Sequence, residues 1–146
     1  KEAFQGFEVK EEKNEKKKEY LNRYKNAVKK YNSLQEQEER IRAEMGPGAI
    51  EYSGMPKAHK KTDLSDYMVR LEKILYKIAD KKREMQEIRL EIEDKITDID
   101  DGIQSRVLYL RYIRFLKWED ICVEIGYSWR QVHRAHSQAL KKMNID

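Results

Sequence analysis

From Ser128 to Lys142 the chain carries Trp129, Arg130, Gln131, His133, Arg134, Ser137, Gln138, Lys141 and Lys142, side chains that donate hydrogen bonds to, or stack on, a polyanionic partner. Arg donates bidentately to guanine edges, Gln pairs with adenine, and Lys and Ser contact phosphate oxygens. Their spacing gives the set a direction. At 3.6 residues per turn they lie away from Val132, Ala135 or His136, Ala139, Leu140 and Met143, so one helix would have a basic polar face and an apolar inner face. No Asp or Glu occurs between Ile125 and Ile145, which leaves the positive field of Arg130, Arg134, Lys141 and Lys142 uncompensated. Arg130, Gln131 and Arg134 are the first choices for base contacts, and Lys117, Lys141 and Lys142 for phosphates. Trp129 suits either a nucleic-acid contact or packing against the first long helix.

The start of this helix is strongly specified. Gly126 suits the left-handed conformation that ends a preceding helix. Ser128 caps the next one and Gln131, three residues on, completes a capping box, while Tyr127 and Val132 occupy the hydrophobic-staple positions. Two helices joined by a tight turn follow, the first from about Trp118 to Ile125 and the second from about Trp129 to Met143. The inner face of the second is expected to pack on Ile121, Cys122 and Ile125, with the small Cys122 allowing a close crossing.

Other chemistries fit less well. His133 and His136 with Cys122 form an incomplete zinc set without either common ligand spacing, so no metal is expected. The run Asp98-Ile99-Asp100-Asp101-Gly102 is one residue short of a calcium loop and has Tyr109 where the twelfth-position Glu should stand; it reads as a helix break whose Asp side chains cap the next helix. No phosphate-cradling Gly loop, nucleophile motif or paired-carboxylate site is present in the sequence, so neither catalysis, nor a cofactor, nor a small-molecule substrate is expected.

The elements that must position this face extend back through the chain. Ile103, Val107, Leu108, Leu110, Tyr112 and Ile113 give a short amphipathic helix, with Phe115-Leu116-Lys117 as the turn after it. Before that, Leu64, Leu71, Ile78, Met85, Ile92 and Ile99 recur every seven residues, with Tyr67, Ile74 and Ile88 at d positions, a coiled-coil seam of about five heptads. Lys81 and Lys95 interrupt the d positions. Met68, Leu75 and Ile96 widen the stripe enough to meet both an earlier helix and a second chain. That earlier helix is read from Tyr20 to Met45, with Leu21, Tyr24, Val28, Tyr31, Leu34, Ile41 and Met45 on one face. Gly46-Pro47-Gly48 ends it, residues 46–62 form a long loop, and Asp63 is the expected N-cap of the second helix, with Ser65 and Asp66 as competitors. Residues 1–19, rich in Lys and Glu, are read as a charged segment, disordered or a frayed helix start.

Composition agrees with a small head on elongated helices. Of the 146 residues 40% are charged and 39% hydrophobic, and the mean hydropathy is −0.98, low for a globule with a large core. Nine Tyr, two Trp and three Phe at regular intervals argue against full disorder. Residues 1–101 carry 23 basic and 23 acidic side chains, residues 102–146 eight basic and four acidic, so the net charge of +4 lies wholly in the last 45 residues. A single Cys and the lack of an apolar run near 18 residues point to a reducing, cytoplasmic setting with no membrane partner.

Residues 106–113, Trp118-Glu119-Asp120-Ile121-Cys122, Gly126-Tyr127-Ser128-Trp129-Arg130-Gln131-Val132 and Ala139-Leu140 resemble region four of bacterial sigma factors, which reads the promoter's upstream hexamer. Cys122 stands where such modules usually have Ala, a volume-compatible exchange. From about Tyr20 onward, with Gly54-Met55-Pro56 in the loop, the chain is similar to phage-encoded ArpU/RinA-type transcriptional regulators. The resemblance implies control of late or lytic phage genes, without the promoter-melting region two of a sigma factor.

The expectation is therefore an all-α chain: a charged segment (1–19), a long antiparallel helical hairpin or coiled coil (20–101), and a sigma region four-like helix-turn-helix domain (102–146). It would bind double-stranded DNA as a homodimer paired through the coiled coil, the hairpin setting the separation of two heads on half-sites in the major groove. Two alternatives stand beside it: a protein-interaction module whose head binds host RNA polymerase or a sigma factor, and a phage DNA-packaging subunit of the small-terminase kind.

Overall fold

The computed structural model describes residues 2–46 and 61–145, with side chains from Lys13 to Gly46 and from Leu64 to Ile145. Every regular element among them is helical: α1 (Glu2–Met45), α2 (Lys61–Thr97), α3 (Gly102–Leu108), α4 (Trp118–Ile125) and α5 (Trp129–Lys142), with a π-helical turn (Tyr109–Ile113) after α3. The fold is all-α, two long helices followed by three short ones.

The residues before Tyr20, expected to be disordered or frayed, continue α1 back to Glu2. Lys and Glu are good intrinsic helix formers, so a low apolar content weakens tertiary packing without stopping the helix. At its other end α1 stops at Met45, and Gly46 takes the left-handed conformation (φ 81°). Residues 47–60 of the expected loop, with Pro47, Gly48 and the Gly54-Met55-Pro56 motif, lie outside the described residues. Helix α2 already begins at Lys61, so Asp63 is not its N-cap. It stands instead within the helix.

Contacts divide the chain into two compact units, one of Lys1–Asn26 with Gln86–Asp146 and one of Ala27–Met85. In the second, most of the predicted seam faces inward: Leu71 and Ile74 are buried, as is Ala27, and Val28, Tyr31, Leu34, Tyr67, Ile78 and Met85 are half-buried, whereas Leu64, the first predicted seam position, is exposed. Lys81 at its polar d position is also half-buried and reaches Glu84 at 2.8 Å. That hydrogen bond is the main reason the Glu84 carboxyl titrates below the usual carboxylate range.

The first unit holds α3, α4 and α5 together with the near ends of the long helices, around two cores. One gathers Leu21 of α1, Ile92 and Ile96 of α2, and Ile99 with Leu108, Tyr112, Ala139, Leu140 and Met143. The other gathers Val107, Leu110, Ile121, Val132 and Ala135, with Trp118, Cys122 and Ile125 at its margin. The inner face of α5 was expected to pack on α4 along its whole length. Only its first half does so, because α4 has eight residues and ends after two turns. Ala139, Leu140 and Met143 continue past it onto the long helices. Tyr20 Oη donates to Glu91 Oε1 at 2.8 Å and Arg23 approaches the same carboxylate at 3.4 Å, fastening α1 to α2 inside this unit. Burial first, and then this bond, push the Tyr20 hydroxyl up to about 12.

Candidate nucleic-acid interface

Helix α5 is placed by its first turn. Gly126 adopts φ 77°, and its amide and that of Tyr127 both donate to Cys122 O, at 2.9 and 3.2 Å, closing the end of α4. Ser128 Oγ accepts from the Gln131 amide at 3.2 Å, and Gln131 Oε1 accepts from the Ser128 amide at 3.0 Å. The capping box predicted from the two residue types is thus closed. The staple is less complete, since Val132 is buried and Tyr127 stays exposed.

Beyond the cap, the faces separate as the spacing requires. Val132, Ala135, His136, Ala139, Leu140 and Met143 are buried. Arg130, Gln131, Arg134, Ser137, Gln138, Lys141 and Lys142 are exposed, as is Ser128 at the cap. Arg130, Arg134, Ser137 and Lys141, spaced by four, three and four residues, form the centre line of the outer face; Gln131 and Gln138 form one edge. Lys117 is not part of α5: it is the exposed residue before α4.

The other edge departs from expectation. His133, predicted on the outer face, is half-buried, its ring 4.4 Å from that of Trp118 and 4.5 Å from that of Trp129. Burial, then Arg111 and Lys18, lower its pKa. Trp129 remains 52% exposed and packs on His133. Its free surface can still stack on a partner. Arg111 lies over the Trp118 ring, 4.5 Å from its centroid, and donates to Leu116 O at 3.0 Å. The cluster fixes one end of α4 against α5 and was missed in the sequence because Arg111, Trp118 and His133 sit on three different elements.

Deeper in the unit, His136 Nε2 lies 2.8 Å from Tyr112 Oη. Burial drives the two groups apart, the imidazole down to about 4 and the phenol up to about 12, so both are neutral near pH 7. At the glutamine edge a shallow groove of about 240 Å³ separates α5 from the start of α3, lined by Asp101, Gln104, Tyr127, Gln131, Arg134 and Gln138. Asp101 caps α3 by accepting from the Gln104 amide at 3.0 Å, as its position in the Asp-rich break predicts. No three His, Cys, Asp or Glu side chains converge into a metal site among the described residues, and none of the described helices is long and apolar enough to cross a membrane.

This geometry makes the outer surface of α5 a rigid row of hydrogen-bond donors on a helix whose start and inner face are both fixed. Comparisons of the chain with protein-family models, with curated proteins and with solved structures gave no match.

Proposed function

We propose that this chain is a sequence-specific DNA-binding transcriptional regulator of phage or prophage genes that reads the major groove with α5 as the recognition helix of a helix-turn-helix. The observation that carries the reading is the exposed line Arg130, Arg134, Ser137 and Lys141 on a capped, well-packed helix without an acidic residue. An α-helix fits the major groove, and cations along its outer face supply both guanine contacts and phosphate neutralisation. Lys117 and Lys142 add phosphate contacts at the margins. The likeness of residues 106–140 to sigma factor region four favours the same use of this helix.

A second copy of the chain is the proposed partner of α2 in the unit of Ala27–Met85. There Leu64, Met68, Val69 and Leu75 form an exposed apolar strip beside the buried seam, with Met68 52% and Leu75 41% exposed. One helix cannot bury two stripes against one neighbour, and a symmetry-related copy of the same strip is self-complementary.

The test is to select bound fragments from random double-stranded DNA at increasing salt. A recurrent motif with a steep loss of affinity as salt rises is the expected result. Absence of binding at low salt, with capture of polymerase instead, would contradict it.

A further inference from the structure

Residues 13–18, part of the charged stretch expected to be disordered or frayed, hold four Lys against one Glu, and α1 carries them to the C-terminal end of α5. There Lys17 Nζ donates to Lys141 O at 3.3 Å. A cation at this point satisfies a carbonyl left open at the helix end and suits the negative end of its dipole, so Lys17 has a structural role of its own. The charge of Lys18 also acts on His133 and His136, so this part of α1 runs close to α5. Two neighbouring lysines are left for another use. Lys13 stands one turn before Lys17 on the same face of α1, about 6 Å along the axis, and Lys16 stands beside it; both are exposed. The one acid among these residues, Glu15, is paired with Lys18 at 3.1 Å.

The end of α5 is where a duplex offers phosphate. The line from Arg130 to Lys141 rises about 16 Å along the helix, whereas the major groove is about 12 Å wide. A recognition helix turns its N-terminal residues to the base edges. With Arg130 and Arg134 on bases, the C-terminal end of α5 therefore lies at the sugar-phosphate backbone that borders the groove. We infer that Lys13 and Lys16 of α1 form a second phosphate-binding patch there, beside Lys141 and Lys142, so that DNA is gripped by two helices far apart in sequence. This rests on the DNA-binding reading and adds a part of the chain that holds the backbone. An ammonium neutralises a phosphate without reading its base. The patch thus raises affinity for every sequence and steepens the salt dependence, while the choice of site stays with α5.

The experiment measures affinity across a salt series, for the selected site and for random double-stranded DNA, with three proteins: wild type, Lys13→Gln with Lys16→Gln, and Lys29→Gln with Lys30→Gln. All four lysines are exposed and Gln is nearly as good a helix former as Lys, so helicity by circular dichroism should stay unchanged. The second pair removes the same charge from the same helix, but in the unit of Ala27–Met85, outside the one that holds α5, and so reports the effect of net charge. Lys13→Gln with Lys16→Gln is expected to weaken both DNAs alike, several-fold at low salt, and to lower the salt slope by about two; the control pair should change the slope by less than about one. A wild-type slope in Lys13→Gln with Lys16→Gln, or equal changes in the two double variants, would overturn the inference and leave DNA binding intact. So would a loss confined to the selected site. Failure of wild type to bind DNA at all would overturn the DNA-binding reading, and this inference with it.

Discussion

His136 shows how one residue ties the placement of α5 to stability. It is on the inner side of α5, hydrogen-bonded to Tyr112, edge-on to Trp118 at 4.8 Å, and subject to the nearby charges of Lys18 and Arg111. Its folded-state pKa of about 4 lies below the ordinary imidazole value of 6.5. Between those values the unfolded chain binds the extra proton, so stability is full above about pH 6.5 and falls as the pH drops toward 4, by about 3 kcal/mol if His136 acts alone. His133 shifts the same way and adds to the fall. Thermal melts at pH 7 and pH 5 followed by Trp fluorescence should show the loss, and His136→Phe should flatten it; an unchanged slope in that variant would refute the assignment. The sequence revealed residues whose roles are local. Ser128 and Gln131 were legible because their partners lie three residues apart. The Gln104–Gln138 bond was not, because 34 residues separate its ends and neither type betrays a fixed orientation. His133 was misplaced for a related reason: helical phase puts it at the margin, and only the neighbouring tryptophans decide which way it turns.

At the scale of elements, α4 ends and α5 begins where the turn chemistry sets them, whereas the end of the third amphipathic segment follows no local rule. Periodicity predicts one helix from Ile103 to Ile113; the chain instead widens into a π-helical turn after Leu108 and leaves it through Phe115 at φ 59°. A bulky residue is rare in that left-handed region, where Gly is usual. The conformation is held by Leu116, whose amide donates to Leu110 O at 3.0 Å, and by the Phe115 ring, stacked 5.3 Å from that of Tyr24 on α1. Stacking of this kind contributes about 0.5 to 1.5 kcal/mol beyond burial, comparable to the cost of the backbone. Both Phe115→Ala and Phe115→Gly remove the ring, yet only Gly relieves the φ. The Gly variant should be the more stable of the two by about 1 kcal/mol in urea unfolding. Equal stabilities would show that Phe115 is not strained. No propensity scale announces such a site, because its partner Tyr24 is 91 residues away in sequence.

For the whole molecule, the all-α architecture was legible from heptads, caps and a single Pro-Gly-rich break, and the concentration of positive charge after residue 102 marked the part proposed to meet a polyanion. Less legible was the division of contacts. The C-terminal helices share their core with Leu21, Ile92 and Ile96, so a chain cut at residue 102 would expose Ala139, Leu140 and Met143. The exposed strip at Met68 and Leu75 carries the prediction for assembly: light scattering should give a dimer for the wild type and a monomer for Met68→Glu with Leu75→Glu, and a monomeric wild type would remove the second copy from the account. The central claim is that α5 reads DNA bases. It is tested most directly by measuring the affinity of wild type, Arg130→Ala and Lys142→Ala for the selected site and for random DNA across a salt series. Arg130→Ala should lose about 1 to 3 kcal/mol on the selected site alone, and Lys142→Ala should weaken both DNAs alike and lower the salt slope by about one. Equal losses on both DNAs for Arg130→Ala, or no salt-dependent binding by the wild type, would contradict it.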